Sequence, residues 1–288
     1  MPFSAGGSVD TTLRVIAPLL STRLGQPIVV VNKPGGGATI GMSAVAKAAP
    51  DGLTLGVASF AFTANPTLIE KMGYDPLKDF EPVTLVARTP MLLIVNPKTP
   101  ARTMREFIDW AKSQPPGALN YGSAGIGSSG HLMTEMFLSR AGLKMTHVPF
   151  TRGATQALAR GDLDLQVTSL PTAAPWLQDA QVRAIGVTSL ASDPAVPDVP
   201  PVSQTLPGFD IYEWAGLVAP AGTPRPIIDR VQREVALTIA EPDVTQRLAA
   251  VGSEPVGSTP EAFGAYLKEQ TTLWADLIHQ LGPIKATQ

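Results

Sequence analysis

YGSAGIGSSGH, residues 121–131, decides the fold, because glycines at this spacing let the chain turn sharply between a strand and a helix. Gly125, Gly127 and Gly130 spell G-x-G-x-x-G, the fingerprint of dinucleotide-binding enzymes. A short apolar run, Leu119–Gly122, precedes the glycines, and a helical pattern over His131–Ala141 follows them. The stretch therefore predicts strand, glycine-rich turn and helix, with a dinucleotide site as one hypothesis.

A nicotinamide site needs further residues that this chain lacks. An acidic residue about 20 positions on should hold the ribose hydroxyls, but the next predicted strand, Met145–Val148, runs into PFTRG. Arg152 could meet a 2′-phosphate, so an NADP-linked oxidoreductase remains an alternative. No proton-transfer group accompanies the loop, which disfavours that alternative.

Composition excludes several classes of protein. The chain has 288 residues, 44% of them hydrophobic and 16% charged, with a net charge of -2, which is typical of a globular protein with a large core. No basic cluster indicates nucleic acid or anionic lipid as a partner, and no apolar run reaches the roughly 18 residues of a membrane helix. The chain has no cysteine, and its three histidines are scattered, so we expect no metal and no cofactor.

Apolar runs alternate with amphipathic helical patterns, which predicts an α/β fold with a largely parallel sheet. The predicted strands are Ile28–Asn32, Leu53–Ala58, Pro82–Ala87, Met91–Asn96, Leu119–Gly122, Met145–Val148, Leu165–Ser169, Val182–Thr188 and Gly216–Ala219. The predicted helices are Val9–Leu24 with Gly25 as its C-cap, Thr39–Ala48, Thr103–Ser113, His131–Ala141, Ala154–Arg160, Pro224–Ala240 and Pro260–Leu281.

Two proline-marked segments predict crossings between two domains. They are NPKTPART, residues 96–103, and the stretch from Glu213 to Pro226. We predict a discontinuous first domain of residues 1–98 plus 216–288 and a second domain of residues 99–215. Since binding sites in such folds commonly lie at domain interfaces and strand ends, we expect a ligand cleft between the two domains.

Three loops share one pattern of small or hydroxyl residues before a helix start: PFSAGGSVD (2–10), SFAFTANP (59–66) and the opening stretch. Small residues allow close approach of the backbone, and free N–H groups at a helix N-terminus favour an anion. One such loop is commonly an ordinary turn. Three of them in both predicted domains favour a site for a small carboxylate.

Several residues have a structural and a functional interpretation. Asp10 either complements the helix dipole or holds Gly6 and Gly7 in a ligand-ready shape. His131 beside Ser123 could suggest a hydrolase, but no G-x-S-x-G elbow is present, and a loop-bracing role is favoured. Four aromatic residues are core residues by default, yet each adjoins a candidate loop or crossing and could line a pocket: Phe3, Phe60, Phe150 and Trp214.

Longer motifs identify a family. The run PFSAGGSVDTTLRVIAPLLSTRLGQPIVVVNKPGGGATIG, followed by AKAAPDGLTL, YDPLKDFEPVTLVA, LNYGSAGIGSSGHL, VPF and GLVAPAGTP, resembles the Bug-type (TctC-like) solute receptors of tripartite tricarboxylate transporters. The resemblance covers essentially the whole chain. It implies a two-domain, type II periplasmic-binding-protein fold that closes on its ligand like a flytrap, without catalysis. It also implies a periplasmic location, an organic carboxylate ligand (a di- or tricarboxylate or an aromatic acid), delivery to membrane permease subunits, and a monomer.

The same resemblance implies a set of ligand contacts, which falls on the three loops, the end of a strand and two aromatic residues. These residues are Phe3, Ala5, Gly6, Gly7, Ser8, Asp10, Ser59, Phe60, Ala61, Thr63, Ser123, Gly127, Ser128, Ser129, His131, Phe150, Thr168, Ser169 and Trp214.

The chain departs from the family pattern at Thr168 and Ser169, where many relatives carry an Asp-Asn pair. Two hydroxyls in place of a carboxylate and an amide remove a negative wall, so amino-acid ligands are disfavoured. The chain also begins at Met1-Pro2-Phe3 without a signal peptide or a strand leading into the first loop, and we expect the natural reading frame to begin upstream. A receptor that reports ligand to a signalling partner is a further alternative.

Overall fold

The computed structural model describes residues 1–150 and 152–282. Its helices are α1 (Ser8–Leu24), α2 (Thr39–Ala46), α3 (Phe60–Leu68), α4 (Met104–Ser113), α5 (Ser129–Ala141), α6 (Ala154–Arg160), α7 (Leu170–Gln178), α8 (Arg225–Ile239), α9 (Pro242–Ala250) and α10 (Pro260–Leu281), with 3-10 turns at Gly36–Ala38 and Val202–Gln204. Its strands are β1 (Gly56–Ser59), β2 (Phe80–Val95), β3 (Asn120–Ser123), β4 (Thr146–Pro149), β5 (Leu165–Ser169), β6 (Arg183–Val187), β7 (Tyr212–Pro220) and β8 (Glu254–Pro255).

The chain folds as two compact units. Unit 1 holds Met1–Arg88 and the described chain from Trp214 onward, and unit 2 holds Thr89–Glu213. Both boundaries therefore lie inside a strand, β2 and β7. The predicted domain bounds at 98/99 and 215/216 differ from these by ten residues and by two, and residues 283–288 of the predicted first domain lie outside the described residues.

Strand pairing is mixed rather than largely parallel, so that expectation is wrong. In unit 1, β1 pairs antiparallel with β7, and β8 pairs antiparallel with the first half of β2. In unit 2, the second half of β2 pairs antiparallel with both β5 and β6, whereas β3 pairs parallel with β4 and β5. Alternating strands and helices indicate an α/β fold, but they leave the direction of non-neighbouring strands open.

Local patterns explain why most helices begin and end where they do. In α1 the apolar residues Val9, Leu13, Ile16 and Leu20 recur at helical spacing and are buried, and Gly25 ends the helix at φ 67°. Helix α4 begins with a capping box in which the Thr103 hydroxyl accepts the Glu106 N–H. These helices confirm the corresponding predictions to within a residue.

Other predicted elements are corrected by the structure. Residues 28–32 are not a strand, and Val29 and Val31 are 78% and 53% exposed. The two strands predicted over residues 82–87 and 91–96 are one strand, β2. Helices α3, α7 and α9 were not predicted, because each has only nine residues and two of them contain an internal proline, which usually marks a helix end.

Each unit has its own core. In unit 1, buried side chains of α1, α8 and α9 pack on β7 and the first half of β2, and Trp214, Phe263 and Phe62 form a second cluster. In unit 2, buried residues of α6 and α7 pack on Leu92, Ile94 and Val187. Burying such side chains drives folding at about 2 kcal/mol for each large apolar residue, and it leaves the strand-to-helix loops at the surface of each unit.

Candidate functional site

The first glycine loop of unit 1 leads directly into α1. Gly7 is the N-cap of the helix, and Gly6 has a left-handed backbone with φ 83°, which a residue with a side chain adopts only with strain. The Gly6 N–H donates to Oδ2 of Asp10 at 2.9 Å. Residues Ser4 to Ser8 are exposed. The loop therefore presents the unpaired first-turn amides of α1 at the surface.

Asp10 holds this loop from beneath and is itself only 1% exposed. Its carboxylate also accepts Arg14 Nε at 2.8 Å and Asn32 Nδ2 at 2.8 Å. Burial acts to raise the pKa of Asp10, but the hydrogen bonds from Arg14, Asn32 and Gly6 outweigh it and lower the pKa to about 2. Asp10 is therefore a charged anchor for the loop, in addition to lying in the first turn of α1.

The second predicted loop, residues 59–66, is largely the start of α3. Ser59 is the N-cap residue of that helix, and the Thr63 hydroxyl donates to the Phe60 carbonyl at 3.0 Å. Phe60 packs edge-on against Trp274 with ring centroids 4.7 Å apart and is 3% exposed. The side chains of Phe60 and Thr63 thus belong to the core of unit 1, while Ala61 between them is half-buried.

Trp214 is also a core residue. It is 1% exposed, and its ring meets Phe263 at 5.9 Å and Tyr266 at 5.5 Å between centroids, edge-on in both cases. Those partners lie on α10, in the same unit. Trp214 therefore packs inside unit 1, and its contact with a ligand stays a prediction.

The glycine loop of unit 2 connects β3 to α5. Ser128 is the N-cap of α5, its hydroxyl donates to the Gly125 carbonyl at 2.7 Å, and Gly127 has φ 78°. The Gly127 N–H donates to Nδ1 of His131 at 3.1 Å. The Ser123 hydroxyl closes the loop from the other end, because it accepts the Gly125 N–H at 3.1 Å. The half-buried Ser129 opens the helix.

His147, on β4, is a site residue that sequence reasoning missed. Its Nε2 lies 2.7 Å from the Ser123 Oγ, and its ring stacks on that of His131 with centroids 4.1 Å apart. The only sequence signal was the parallel β3–α5–β4 pattern, which brings Tyr121 and His147 into register. Burial lowers the pKa of both histidines, and the neighbouring imidazole lowers that of His131 further, to about 4.

The remaining candidates of unit 2 surround this loop on the adjacent strands. The Phe150 N–H donates to the Ser123 carbonyl at 3.0 Å, and its half-buried ring packs on the core. Thr168 is 8% exposed on β5. The Ser169 hydroxyl shares a 3.0 Å hydrogen bond with Thr172. In unit 1, Phe3 is half-buried against the core, and Ala5 is exposed.

The structure bears on the dinucleotide hypothesis. The glycines do follow a strand and precede a helix, and β4 returns parallel to β3, as that motif requires. However, the amides of Gly125 and Gly127, which would face a pyrophosphate, are bonded to Ser123 and His131. Together with the missing acidic residue after β4, this arrangement disfavours nucleotide binding.

A cavity of about 1010 Å³ lies in unit 1, away from these loops. It separates residues 27–33 from β1 and is lined mostly by apolar side chains such as Leu13, Ile16 and Val57. Among the described residues that line it, none is a candidate ligand contact. Residues 28–32 form no strand, although residues 31 and 33 bond to the backbone of Met1: the Met1 N-terminus donates to the Val31 carbonyl at 3.1 Å, and the Lys33 N–H donates to the Met1 carbonyl at 2.8 Å.

Comparison with known proteins shows strong likeness over the whole chain. Solved structures that resemble it include the periplasmic binding protein BugD (32% identity, TM-score 0.81, covering 98% of this chain and 96% of that one). Another is an R. palustris protein, Rpa4515, with adipate (33% identity, TM-score 0.84, 98% and 95%). A third is MatC from Rhodopseudomonas palustris with bound malate (35% identity, TM-score 0.79, 96% and 96%).

These likenesses confirm the periplasmic-binding-protein fold and the Bug-type resemblance. In the described part of the chain, the helices are too short or too polar to span a membrane. The profile of the tripartite tricarboxylate transporter family receptor matches residues 12–283. The chain therefore belongs to the receptor family of the tripartite tricarboxylate transporters.

Proposed function

We propose that this chain is a periplasmic solute receptor that binds a small organic carboxylate and delivers it, as a monomer and without catalysis, to membrane permease subunits. The observation that carries the proposal is that each unit presents a glycine loop at a helix N-terminus, with the loop braced from beneath by a side chain. Free first-turn amides and the helix dipole favour an anion at such a place. Family membership and the malate and adipate bound by two relatives support a carboxylate as that anion.

The proposed contacts lie in the loops and at the strand ends rather than among the fully buried aromatic rings. They comprise Phe3, Ala5, Gly6, Gly7, Ser8, Ser59, Ala61, Ser123, Ser128, Ser129, Phe150, Thr168 and Ser169, with Asp10, Gly127 and His131 as supports. Phe60, Thr63 and Trp214 are left out because their side chains pack in the core of unit 1.

Proline substitution at the first residue of each helix tests the amide contacts. Ser8 and Ser129 are the first residues of α1 and α5, a position where proline fits and removes only a free N–H. The preceding residues, Gly7 (ψ 164°) and Ser128 (ψ 159°), already have the extended backbone that a following proline needs. We expect Ser8→Pro and Ser129→Pro to keep the fold and to weaken binding of malate or adipate.

The expected loss is roughly tenfold to 100-fold in Kd for each proline variant, the equivalent of one charge-assisted hydrogen bond. Ser8→Ala and Ser129→Ala are the matched controls, because they remove the hydroxyl and keep the amide. Calorimetric titration measures all five proteins, and thermal melting checks the fold. If both proline variants bind as tightly as the unaltered chain, the amides are not the site.

A ligand panel tests the class of solute. Malate, adipate, a tricarboxylate, an aromatic acid, aspartate and NADP are titrated against the unaltered chain. A heat of binding that is measured for carboxylates and not for NADP supports the proposal. Because Thr168 and Ser169 carry hydroxyls, we expect aspartate to bind weakly. Binding of NADP without binding of any carboxylate would replace the receptor with the nucleotide-binding alternative.

A further inference from the structure

Three aromatic rings lie stacked beneath the unit 2 loop. His131 and His147 have ring centroids 4.1 Å apart at an interplanar angle of 25°, and the Tyr121 ring stacks on His147 at 4.9 Å. Tyr121 is fully buried and His131 is 5% exposed. The stack joins the helix α5 to the strands β3 and β4. Among the described residues, His131 and His147 are the only two histidines whose rings are in contact.

The hydrogen bonds of the stack fix the protonation state of His131. Its Nδ1 accepts the Gly127 N–H, so Nδ1 carries no proton, and a neutral ring must hold its single proton on Nε2. Protonation at Nδ1 would place two donors face to face and break this bond. The loop geometry shown by the structure therefore requires a neutral His131.

The groups around the stack also favour neutral imidazoles. Besides His131, the elements that carry the stack have four ionisable side chains: Tyr121 on β3, Glu135 and Arg140 on α5, and His147 on β4. A fifth, Asp164, lies just before β5. The Glu135 carboxylate accepts the Tyr121 hydroxyl, and Asp164 accepts the Asn120 N–H. Burial raises the pKa of both carboxyl groups. Among the described residues, neither carboxylate is hydrogen-bonded to an imidazole nitrogen. If His147 were charged, a proton on His131, with ring centroids 4.1 Å apart, would be opposed by charge repulsion.

We infer that His131 is a positioning residue for ligand capture: its neutral imidazole, held by the stack with His147 and Tyr121, pins Gly127 and so fixes the ligand-binding shape of the loop. This inference rests on the proposed carboxylate-binding function. His131 acts through the Gly127 amide, without touching the ligand. Burial, and then the neighbouring His147, keep the imidazole neutral at pH values where an exposed histidine would already be half protonated.

Two substitutions of His131 separate pinning from simple space filling. Asparagine places its Oδ1 where His131 has Nδ1, so His131→Asn keeps the acceptor and cannot take up a proton in this range. His131→Leu fills similar space without an acceptor. With malate or adipate at pH 7.5, we expect His131→Asn to bind within about threefold of the unaltered chain and His131→Leu to bind about tenfold more weakly, the change expected for one lost hydrogen bond.

The pH dependence of ligand binding distinguishes this role from simple space filling, because a residue that only fills space would not make the Kd depend on its own protonation. Malate and adipate themselves titrate at low pH, so the measured quantity is the ratio of the Kd values of the unaltered chain and His131→Asn at each pH. This ratio should be near one down to about pH 5, double at about pH 4 and then rise roughly tenfold per pH unit. A flat ratio, or tighter binding by the unaltered chain in acid, would overturn the inference.

NMR of the histidine rings tests the pinning without any ligand. The chain has three histidines, so the ring signals of His131, His147 and His279 can be assigned with single substitutions. We expect the His131 proton on Nε2 and a titration midpoint near 4. A proton on Nδ1 at neutral pH, or a midpoint at the ordinary value, would overturn the inference.

The outcomes separate this inference from the proposed function. If the unaltered chain binds no carboxylate, both fail. If it binds carboxylates but His131→Asn is as weak as His131→Leu, or both variants bind normally, the receptor function holds and the positioning role of His131 is wrong. Should His131→Leu fail to fold, the comparison of His131→Asn with the unaltered chain across pH still decides the question.

Discussion

The glycine loops of the two units have the same backbone arrangement, but the acceptor is charged in one and neutral in the other. In each, a left-handed glycine lies just before the N-cap, and the third residue of the helix accepts its N–H: Gly6 to Asp10 in unit 1 and Gly127 to His131 in unit 2. Asp10 accepts the glycine N–H as a charged carboxylate, and His131 accepts it as a neutral ring. The position of an acceptor decides the loop shape, while its chemistry decides the pH range in which the loop keeps that shape.

The number of bonds also differs between the two loops. Asp10 accepts hydrogen bonds from Gly6, Arg14 and Asn32, while the His131 ring accepts one from Gly127. Arg14 is half exposed, with 47% of its side chain accessible, so its ion pair contributes less than a buried one would. The unit 1 loop is thus tied to Asn32 as well as to its own helix, through Asp10 and Arg14. The comparison predicts that removing Asp10 costs more than removing His131.

Asp10→Ala should produce the largest effect on stability. It leaves the Gly6 N–H without its acceptor and removes one acceptor each from the Asn32 amide and the Arg14 guanidinium, and we expect the free energy of unfolding to fall by about 3 kcal/mol. His131→Ala should lower it by about 2 kcal/mol or less, since one N–H loses its partner and a stacked ring is removed. Urea denaturation at pH 7 measures both. Asp276→Ala, on the exposed face of α10, is the control and should change stability by about 0.5 kcal/mol at most. An equal or larger loss for His131→Ala would reverse the comparison.

The two loops should lose stability in different pH ranges. The pKa of His131 falls from 6.5 to about 4 on folding, so the unfolded chain binds the proton more readily, and stability declines as the pH falls from 6.5 towards 4. The pKa of Asp10 falls from 3.8 to about 2, so its contribution is complete above pH 3.8 and is lost as the pH falls towards 2.

Comparison with His131→Asn isolates the contribution of the histidine pair, because groups outside the stack titrate equally in both proteins. Between pH 6.5 and pH 5 the unaltered chain should lose about 2 kcal/mol relative to the variant, at about 1.4 kcal/mol per pH unit. Denaturant titrations at each pH provide the measurement. Parallel pH profiles for the two proteins would show that His131 titrates normally in the folded chain.

Glycine replacements compare the two loops through backbone strain alone. Gly6 (φ 83°) and Gly125 (φ 120°) have open space where a Cβ would lie, so Gly6→Ala should cost about 1 kcal/mol and Gly125→Ala, further from the left-handed minimum, about 2 kcal/mol. Gly7→Ala is the matched control. Gly7 has φ -72° and meets only Ser4 O at 3.7 Å, and its replacement should cost a few tenths of a kcal/mol. Equal losses at Gly6 and Gly7 would show that the left-handed backbone is not required.

Local patterns predicted most helices because capping and apolar spacing act within one element. Residues 8–25 illustrate this, with buried positions three or four apart and a glycine C-cap. The same reasoning divided β2 at Arg88–Pro90, where polar and proline residues suggest a break. It also assigned a strand to residues 28–32, which have apolar side chains but lie beside a cavity.

By itself, the sequence determined the class of fold, the glycine loops at helix starts and the family, because glycine spacing, hydroxyl residues and apolar periodicity are local properties of the chain. Only the tertiary structure decided strand direction, the burial of Phe60 and Trp214, and the role of His147. His147 is 24 residues from Ser123, and β3–β4 pairing brings the two within hydrogen-bond distance. A contact of that kind depends on how separate elements pack, which periodicity within either element does not encode.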